Sequence, residues 1–345
     1  MLEKQNLLGL TQSKFKDFFS DLSEKPFRTK QIMQWIYHQG VHDFGDMHNF
    51  SKDLRDKLGS IASLDLPEVV SMNNSKDGVV KWVIKLGKDN HIETVYIPQK
   101  DRGTLCISSQ VGCSLACTFC STGHQGFNRN LKAHEIIGQV LVAKNHLVQE
   151  NKRISNVVFM GMGEPLLNYE NLLKSIELVS SKTGLSMSPK RITVSTAGIA
   201  KMIKKLADDD VRFNLAISLH TSDDKKREEI MPINKSINLE ELKESIKYFF
   251  EKTGTRITYE YILFKDINDS LDDAHELVKF CKSTPCKVNL IEYNSVDNIP
   301  FQKASNNKTE KFINFLNEKN VIVNLRRSKG KDINAACGQL VNKLK

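Results

Sequence analysis

From Gly103 onward this 345-residue chain predicts an α/β fold, parallel strands covered by helices, with a small helical region ahead of it. Three observations carry that prediction. Short β-branched runs alternate with amphipathic segments, the pattern of repeated strand–helix units. The apolar period changes from about 3.6 to two near Glu68, which separates the helical start from the sheet. Polar and glycine-rich motifs fall just after the strands, where folds of this kind keep their sites.

Composition narrows the class. A hydrophobic content of 40% supports a sizeable core, and the length suits two domains or one large domain with an appendage. No apolar run reaches the roughly 18 residues of a membrane span, and the first residues lack the pattern of a signal peptide, so a cytoplasmic protein is expected. Seven cysteines, an odd number, suit a reducing compartment better than a secreted disulfide framework. A net charge of +9 favours an anionic partner.

In chain order, helices are expected over 13–22, 28–38 and 52–62, the second ended by Gly40. Phe15, Phe18 and Phe19, then Ile32, Met33, Trp35, Ile36 and Tyr37, form apolar faces at helical spacing, which predicts a small packed core. Short strands follow at 69–72, 79–84 and 92–96, the first two joined by a turn carrying Asp77-Gly78. The alternating part supplies six strands, at 104–108, 156–159, 191–194, 213–218, 256–264 and 287–293. Its clearest helix, 132–149, places Ile136, Ile137, Val140, Leu141, Leu147 and Val148 on one face. The expected division is 1–66 as a helical accessory domain, 67–102 as a β-strand extension, and 103–345 as the α/β core.

Residues 103–126 hold four of the cysteines, and three of these, Cys113, Cys117 and Cys120, follow a C-x3-C-x2-C spacing. Three thiolates so close together ask for a metal. A zinc site needs a fourth protein ligand, for which His124 is the nearest candidate. A [4Fe–4S] cluster held by three thiolates leaves one iron open. Further along, Gly161-Met162-Gly163-Glu164-Pro165 follows the second strand, Ser195-Thr196-Ala197-Gly198 the third, Ser218-Leu219-His220 the fourth and Asn294 the sixth. The Gly-x-Gly is not a dinucleotide-binding turn, since Glu164-Pro165 stands where the third glycine belongs.

With Phe119 before the third cysteine, C-x3-C-x-aromatic-C resembles the signature of the radical S-adenosylmethionine (SAM) enzymes. The likeness narrows further. Ile92-Glu93-Thr94-Val95-Tyr96-Ile97-Pro98, Cys106-Ile107-Ser108-Ser109-Gln110-Val111-Gly112-Cys113, Gly126-Phe127-Asn128-Arg129, Gly161-Met162-Gly163-Glu164-Pro165-Leu166-Leu167-Asn168 and Ala335-Ala336-Cys337-Gly338-Gln339-Leu340 resemble the RlmN family of dual-specificity RNA methyltransferases. The match runs from about Lys25 to Leu340.

That resemblance implies a partial (β/α)6 barrel with an amino-terminal helical domain that contacts RNA. It implies methylation of carbon 2 of one adenosine in 23S rRNA and of the adenosine beside the tRNA anticodon. The cofactors it implies are a [4Fe–4S] cluster on Cys113, Cys117 and Cys120, and two SAM molecules per turnover, one as methyl donor and one as radical source. By the same resemblance, Gly163 and Glu164 hold the SAM amino group, Ser195 and the stretch Ser218, Leu219 and His220 its sugar and carboxylate side, and Asn294 its nucleoside end. Carbon 2 of adenine lies between two ring nitrogens and is electron-poor, so simple displacement at the sulfonium methyl fails there. The family's answer is a second sulfur: a methylated cysteine delivers its carbon by a radical route and is joined covalently to RNA in passing.

Within that scheme Cys337 is the methyl carrier, and Cys106 the resolving thiol that forms a disulfide with it. Glu93 aligns with the proton acceptor. An external reductant such as a flavodoxin, a monomeric state and no membrane partner are expected. A carbon-8-methylating relative that confers antibiotic resistance is the nearest alternative, and a metal-stabilised RNA-binding module without catalysis is another. Cys281 and Cys286 read as core. Arg326, Arg327, Lys329 and Lys331 form a basic run at the rim of the expected pocket, to which Lys190-Arg191, Lys201, Lys204, Lys205 and Lys225-Lys226-Arg227 add positive surface.

Overall fold

The computed structural model describes residues 4–296 and 299–341. Its centre is one ten-stranded sheet. Three antiparallel strands, β1 (Glu68–Asn74), β2 (Val80–Lys85) and β3 (His91–Gln99), lead into β4 (Arg102–Cys106). From β4 the sheet continues in parallel through β5 (Asn156–Phe159), β6 (Ile192–Thr196), β7 (Asn214–Ser218), β8 (Ile257–Leu263), β9 (Cys286–Glu292) and β10 (Val323–Arg326).

Strand order follows chain order throughout, so every crossover advances the sheet in the same direction. Right-handed crossovers that never reverse place all the connecting helices on one face and let the twisted sheet curl around the other. The strands' carboxyl ends therefore converge on one mouth. The six expected parallel strands are present within two residues of their predicted bounds at each end. A seventh, Val323–Arg326, pairs with β9. Its four residues carry only two apolar side chains, too short a run to stand out beside the basic stretch that follows.

The helices have local causes. Leu239–Thr253 starts where Asn238 accepts from the Glu241 backbone N–H and ends at Gly254, whose φ of +65° suits a left-handed cap. Ala133–Gln149 buries Ile136, Ile137, Val140, Leu141 and Leu147, while Val148 is 61% exposed and so falls outside the apolar face expected for it. At the amino end, Gln12–Asp21, Arg28–Met33 and Lys52–Ile61 are helical, and the second runs on as a wider π-turn, Gln34–Gln39, to Gly40. Phe15, Phe19, Ile32, Met33, Ile36 and Tyr37 are buried as the pattern required, in a core continuous with that of the sheet. Lys144 on the 133–149 helix donates to the Tyr37 carbonyl at 2.7 Å. Among the described residues no helix is long and apolar enough to cross a membrane.

Candidate active site

The mouth of the curled sheet holds a cavity of about 860 Å³, counting its open side. Cys113, Cys117 and Cys120 form one wall, Gly163 and Glu164 a second, Ser195, Ser218 and His220 a third, and Cys337 closes over it. Nine of the thirteen residues expected at the site thus line a single space. Leu219 is buried in the core beneath it, Asn294 meets it through Cys337, and Cys106 and Glu93 sit within the sheet.

The cysteine loop is closed by a small hairpin, Gln110–Gly112 against Phe127–Asn130. Gly112 has a φ of +75°, and a Cβ there would lie 1.9 Å from the Gly126 carbonyl oxygen, so only glycine lets the two strands meet. Cys113 then donates its backbone N–H to that same oxygen at 2.9 Å. Phe119 turns inward and packs edge-on against His220, centroids 4.9 Å apart. His124 engages the Thr118 carbonyl through Nε2 at 2.9 Å. All three loop cysteines are free thiols facing the cavity. Three free thiols on one loop, facing one cavity, are the donor set that a [4Fe–4S] cluster with one open iron takes.

The Gly161–Pro165 turn is shaped by Gln110. Its Oε1 accepts from the Glu164 N–H at 2.8 Å, and its side chain fills the space a Gly163 side chain would need. Glu164 caps the turn that follows, accepting from Leu166 N at 3.0 Å through one oxygen and from Ala197 N at 2.8 Å through the other. Burial pushes its carboxyl up to about 7 against those bonds, so a cation beside it would be welcome. Ser195 and Ser218, at the ends of adjacent strands, have their hydroxyls 3.4 Å apart. His220 has a φ of +57° and accepts from Ile262 N through Nδ1 at 3.2 Å. Burial, with Arg227 nearby, drives its imidazole down to about 3, so the ring is neutral.

Four residues at the site escape sequence reasoning or change meaning. Arg227, expected on the positive surface, is 1% exposed. Its guanidinium donates to the carbonyls of Ala197 (2.7 Å), Ser218 (3.3 Å) and Leu219 (3.2 Å) and to Asn234 Oδ1 (2.8 Å), tying the ends of β6 and β7 together behind the cavity. Its neighbour Lys226 is paired with Asp273 at 2.6 Å. Gln110 carries no charge to mark it. Glu260 on β8 and Arg326 on β10 meet at 3.2 Å across the cavity wall, which removes Arg326 from the rim expected for it. Of the basic run, Lys329 donates to the Pro98 carbonyl and Lys331 reaches Glu292 at 3.6 Å.

The other two thiols expected at the site are crowded. Burial raises Cys106 to about 12, with Cys337 adding to the rise and Arg326 opposing it. Cys337 is exposed to the cavity yet ringed by protein atoms, and that crowding raises its thiol while Arg326 opposes. Left-handed Gly330, Asn334 and Gly338, at φ +68°, +50° and +84°, bend the segment that presents it. Ser121 N and Thr122 Oγ1 fasten that segment to the cysteine loop, each at 2.8 Å, through the carbonyls of Gly338 and Leu340.

Comparison with known proteins agrees with this geometry. Residues 5–64 match the ribosomal RNA large subunit methyltransferase N-terminal domain, and residues 107–281 match the radical SAM superfamily. The dual-specificity RNA methyltransferase RlmN of Ruthia magnifica is 48% identical over 346 residues, spanning 99% of this chain and 97% of its own. The corresponding protein of Pseudomonas fluorescens is 46% identical, spanning 99% and 91%. The crystal structure of a radical SAM methyltransferase from Sphaerobacter thermophilus superposes with a TM-score of 0.94 at 34% identity, covering 98% of this chain and all of the other.

Proposed function

The chain belongs to the RlmN family of radical SAM RNA methyltransferases, and from that premise we propose that Cys337 carries the methyl carbon to carbon 2 of adenosine in 23S rRNA and tRNA. One observation carries the reading: Cys337 opens onto the same cavity as Cys113, Cys117 and Cys120. When bound there, a [4Fe–4S] cluster and SAM supply the methyl group and the one-electron chemistry that an electron-poor ring carbon demands. We assign two SAM molecules to each turnover.

The chain's own groups do the rest. Glu164 offers a buried carboxylate to the SAM amino group, Ser195 and Ser218 offer hydroxyls, and neutral His220 with Phe119 gives the cavity an apolar side. Asn294 Oδ1, buried with no partner among the described residues, is placed to accept from the nucleoside. Arg326 faces both non-cluster thiols and favours their ionised forms, which are the nucleophiles. Cys106 lies at the end of β4, directly across from Val95 on β3, with Glu93 two residues before Val95 on the same face. That places a resolving thiol and a proton acceptor on the sheet beneath the carrier segment. Residues 1–66 serve as an RNA-contacting domain, 67–102 as an extension of the sheet, and 103–345 as the catalytic unit. A monomeric cytoplasmic enzyme drawing electrons from a flavodoxin-like reductant completes the proposal.

Mass spectrometry of nucleosides from RNA incubated with the reconstituted enzyme, SAM and reductant tests it. 2-Methyladenosine supports the reading. 8-Methyladenosine would assign the chain to the other regiochemistry, and unmodified RNA with a colourless zinc-containing protein would leave a binding module.

A further inference from the structure

Strand β2 is buried along most of its length and apolar between its two lysines; Lys85 ends it, half-buried, but Lys81 stands near its start and is buried. A lysine in such a place needs a partner. Lys81 lies opposite Val95 and Val83 opposite Glu93, so Lys81 and Glu93 emerge diagonally on one face, the face that also bears Cys106. Lys81 Nζ meets Glu93 Oε1 at 2.8 Å, with the two side chains 9% and 2% exposed. The remaining bonds of the pair go to one segment. Lys81 Nζ donates to the Asn334 carbonyl at 3.3 Å, and Glu93 Oε2 accepts from the Val341 N–H at 2.8 Å. Asn334 and Val341 bracket Cys337. A buried ion pair adds little net stability over an apolar pair of the same size, so its two outward bonds say more about what it holds.

We propose that Lys81 is a positioning residue for the methyl-carrier segment: it keeps the Glu93 carboxylate charged and aimed, and the pair fastens both ends of the stretch that presents Cys337. The proposal rests on the reading of Cys337 as carrier and Glu93 as proton acceptor. A proton arriving on Glu93 neutralises the carboxylate, leaves the Lys81 ammonium without its counter-charge, and removes charge assistance from the Val341 bond. Both ends of the segment slacken together, which couples the state of the acceptor to the freedom of the carrier.

The test uses full-length reconstituted enzyme carrying Lys81→Met, Lys81→Arg, or the double change Lys81→Met with Glu93→Met. The double variant leaves no unpaired buried charge and so guards against simple misfolding. Backbone hydrogen exchange over 334–341 should quicken about tenfold in Lys81→Met and in the double variant, and return to within about twofold of wild type in Lys81→Arg. With saturating SAM, kcat for RNA methylation should fall about tenfold in Lys81→Met while the KM for RNA holds, and Lys81→Arg should recover most of it. Native protection over 334–341 in the double variant, or wild-type kcat in Lys81→Met, overturns the proposal. A wild-type enzyme that makes no methyladenosine would overturn the functional reading instead, and the exchange measurement would still judge the fastening.

Discussion

Asn294 donates from Nδ2 to the carbonyl oxygen of Cys337 at 3.3 Å, while its Oδ1 is buried without a partner among the described residues. One side chain just past β9 therefore touches the Cys337 segment with one atom and, in the proposed function, offers the other to SAM. An unmet buried acceptor costs about 1–3 kcal/mol, which a bound donor recovers. Asn294→Ala should therefore raise the KM for SAM about tenfold in the RNA-independent cleavage assay. Asn294→Asp, which keeps an acceptor and loses the donor to Cys337, should recover SAM affinity more fully than RNA methylation.

Gly163→Ala tests the turn that holds Glu164. At a φ of +95° the new Cβ would stand 2.4 Å from Gln110 Cβ, so the turn or Gln110 must move. Strain of this kind costs about 1–3 kcal/mol. Thermal unfolding should drop by several degrees and SAM binding should weaken with it. The same change at Gly126, where nothing lies within 4 Å of the added carbon, meets only the backbone penalty of its φ of +72° and should be milder.

Replacing any one of Cys113, Cys117 and Cys120 by alanine should abolish iron loading and reductive SAM cleavage, since two thiolates hold a cubane poorly. His124→Ala should leave iron content intact, because its ring is engaged with the Thr118 carbonyl. Iron analysis after anaerobic reconstitution reads both. Loss of metal from His124→Ala would favour a four-ligand zinc site instead.

The sheet and its site were legible because each rests on local signals. The alternation of β-branched runs with helical faces marked the strands, and the motifs at 161–165, 195–198 and 218–220 sat at strand ends, where the topology gathers them. What stayed hidden depends on distant partners. Lys225-Lys226-Arg227 has the look of a solvated charge run, and only the carbonyls at the ends of β6 and β7 explain why its third member turns inward. The bond between Glu93 and Val341 joins residues 248 apart in sequence, which no periodicity reveals. Lys81 reads as an ordinary polar position until its partner is known.

The basic run before Cys337 divides by environment. Arg326 faces Glu260 inside the cavity, whereas Arg327 and Lys331 are exposed. Charge reversal of Arg327 and Lys331 should weaken RNA binding and flatten its salt dependence by about 0.7–0.9 in the logarithmic slope for each phosphate no longer neutralised. SAM cleavage without RNA should be unchanged. Arg326→Met should instead impair methylation at undiminished RNA affinity. Filter binding across a salt series separates the two effects.

The division of labour between the non-cluster thiols gives the sharpest test of mechanism. Cys337 opens on the cavity, while Cys106 is buried at the end of β4, so the two have different access to anything bound above them. On the proposed assignment Cys337→Ala removes the atom that accepts and then delivers the carbon, and neither methylated RNA nor a protein–RNA adduct should appear. On the same assignment Cys106→Ala leaves the proposed carrier in place and removes its resolver, so the reaction should stop after RNA has become joined to Cys337. That variant should accumulate an RNA-linked species that survives denaturation and disappears on ribonuclease treatment. Because the link is a carbon–sulfur bond, thiol reductant should not release it, which distinguishes it from any disulfide. Normal turnover by Cys106→Ala, or methylation by Cys337→Ala, would reverse the assignment of carrier and resolver.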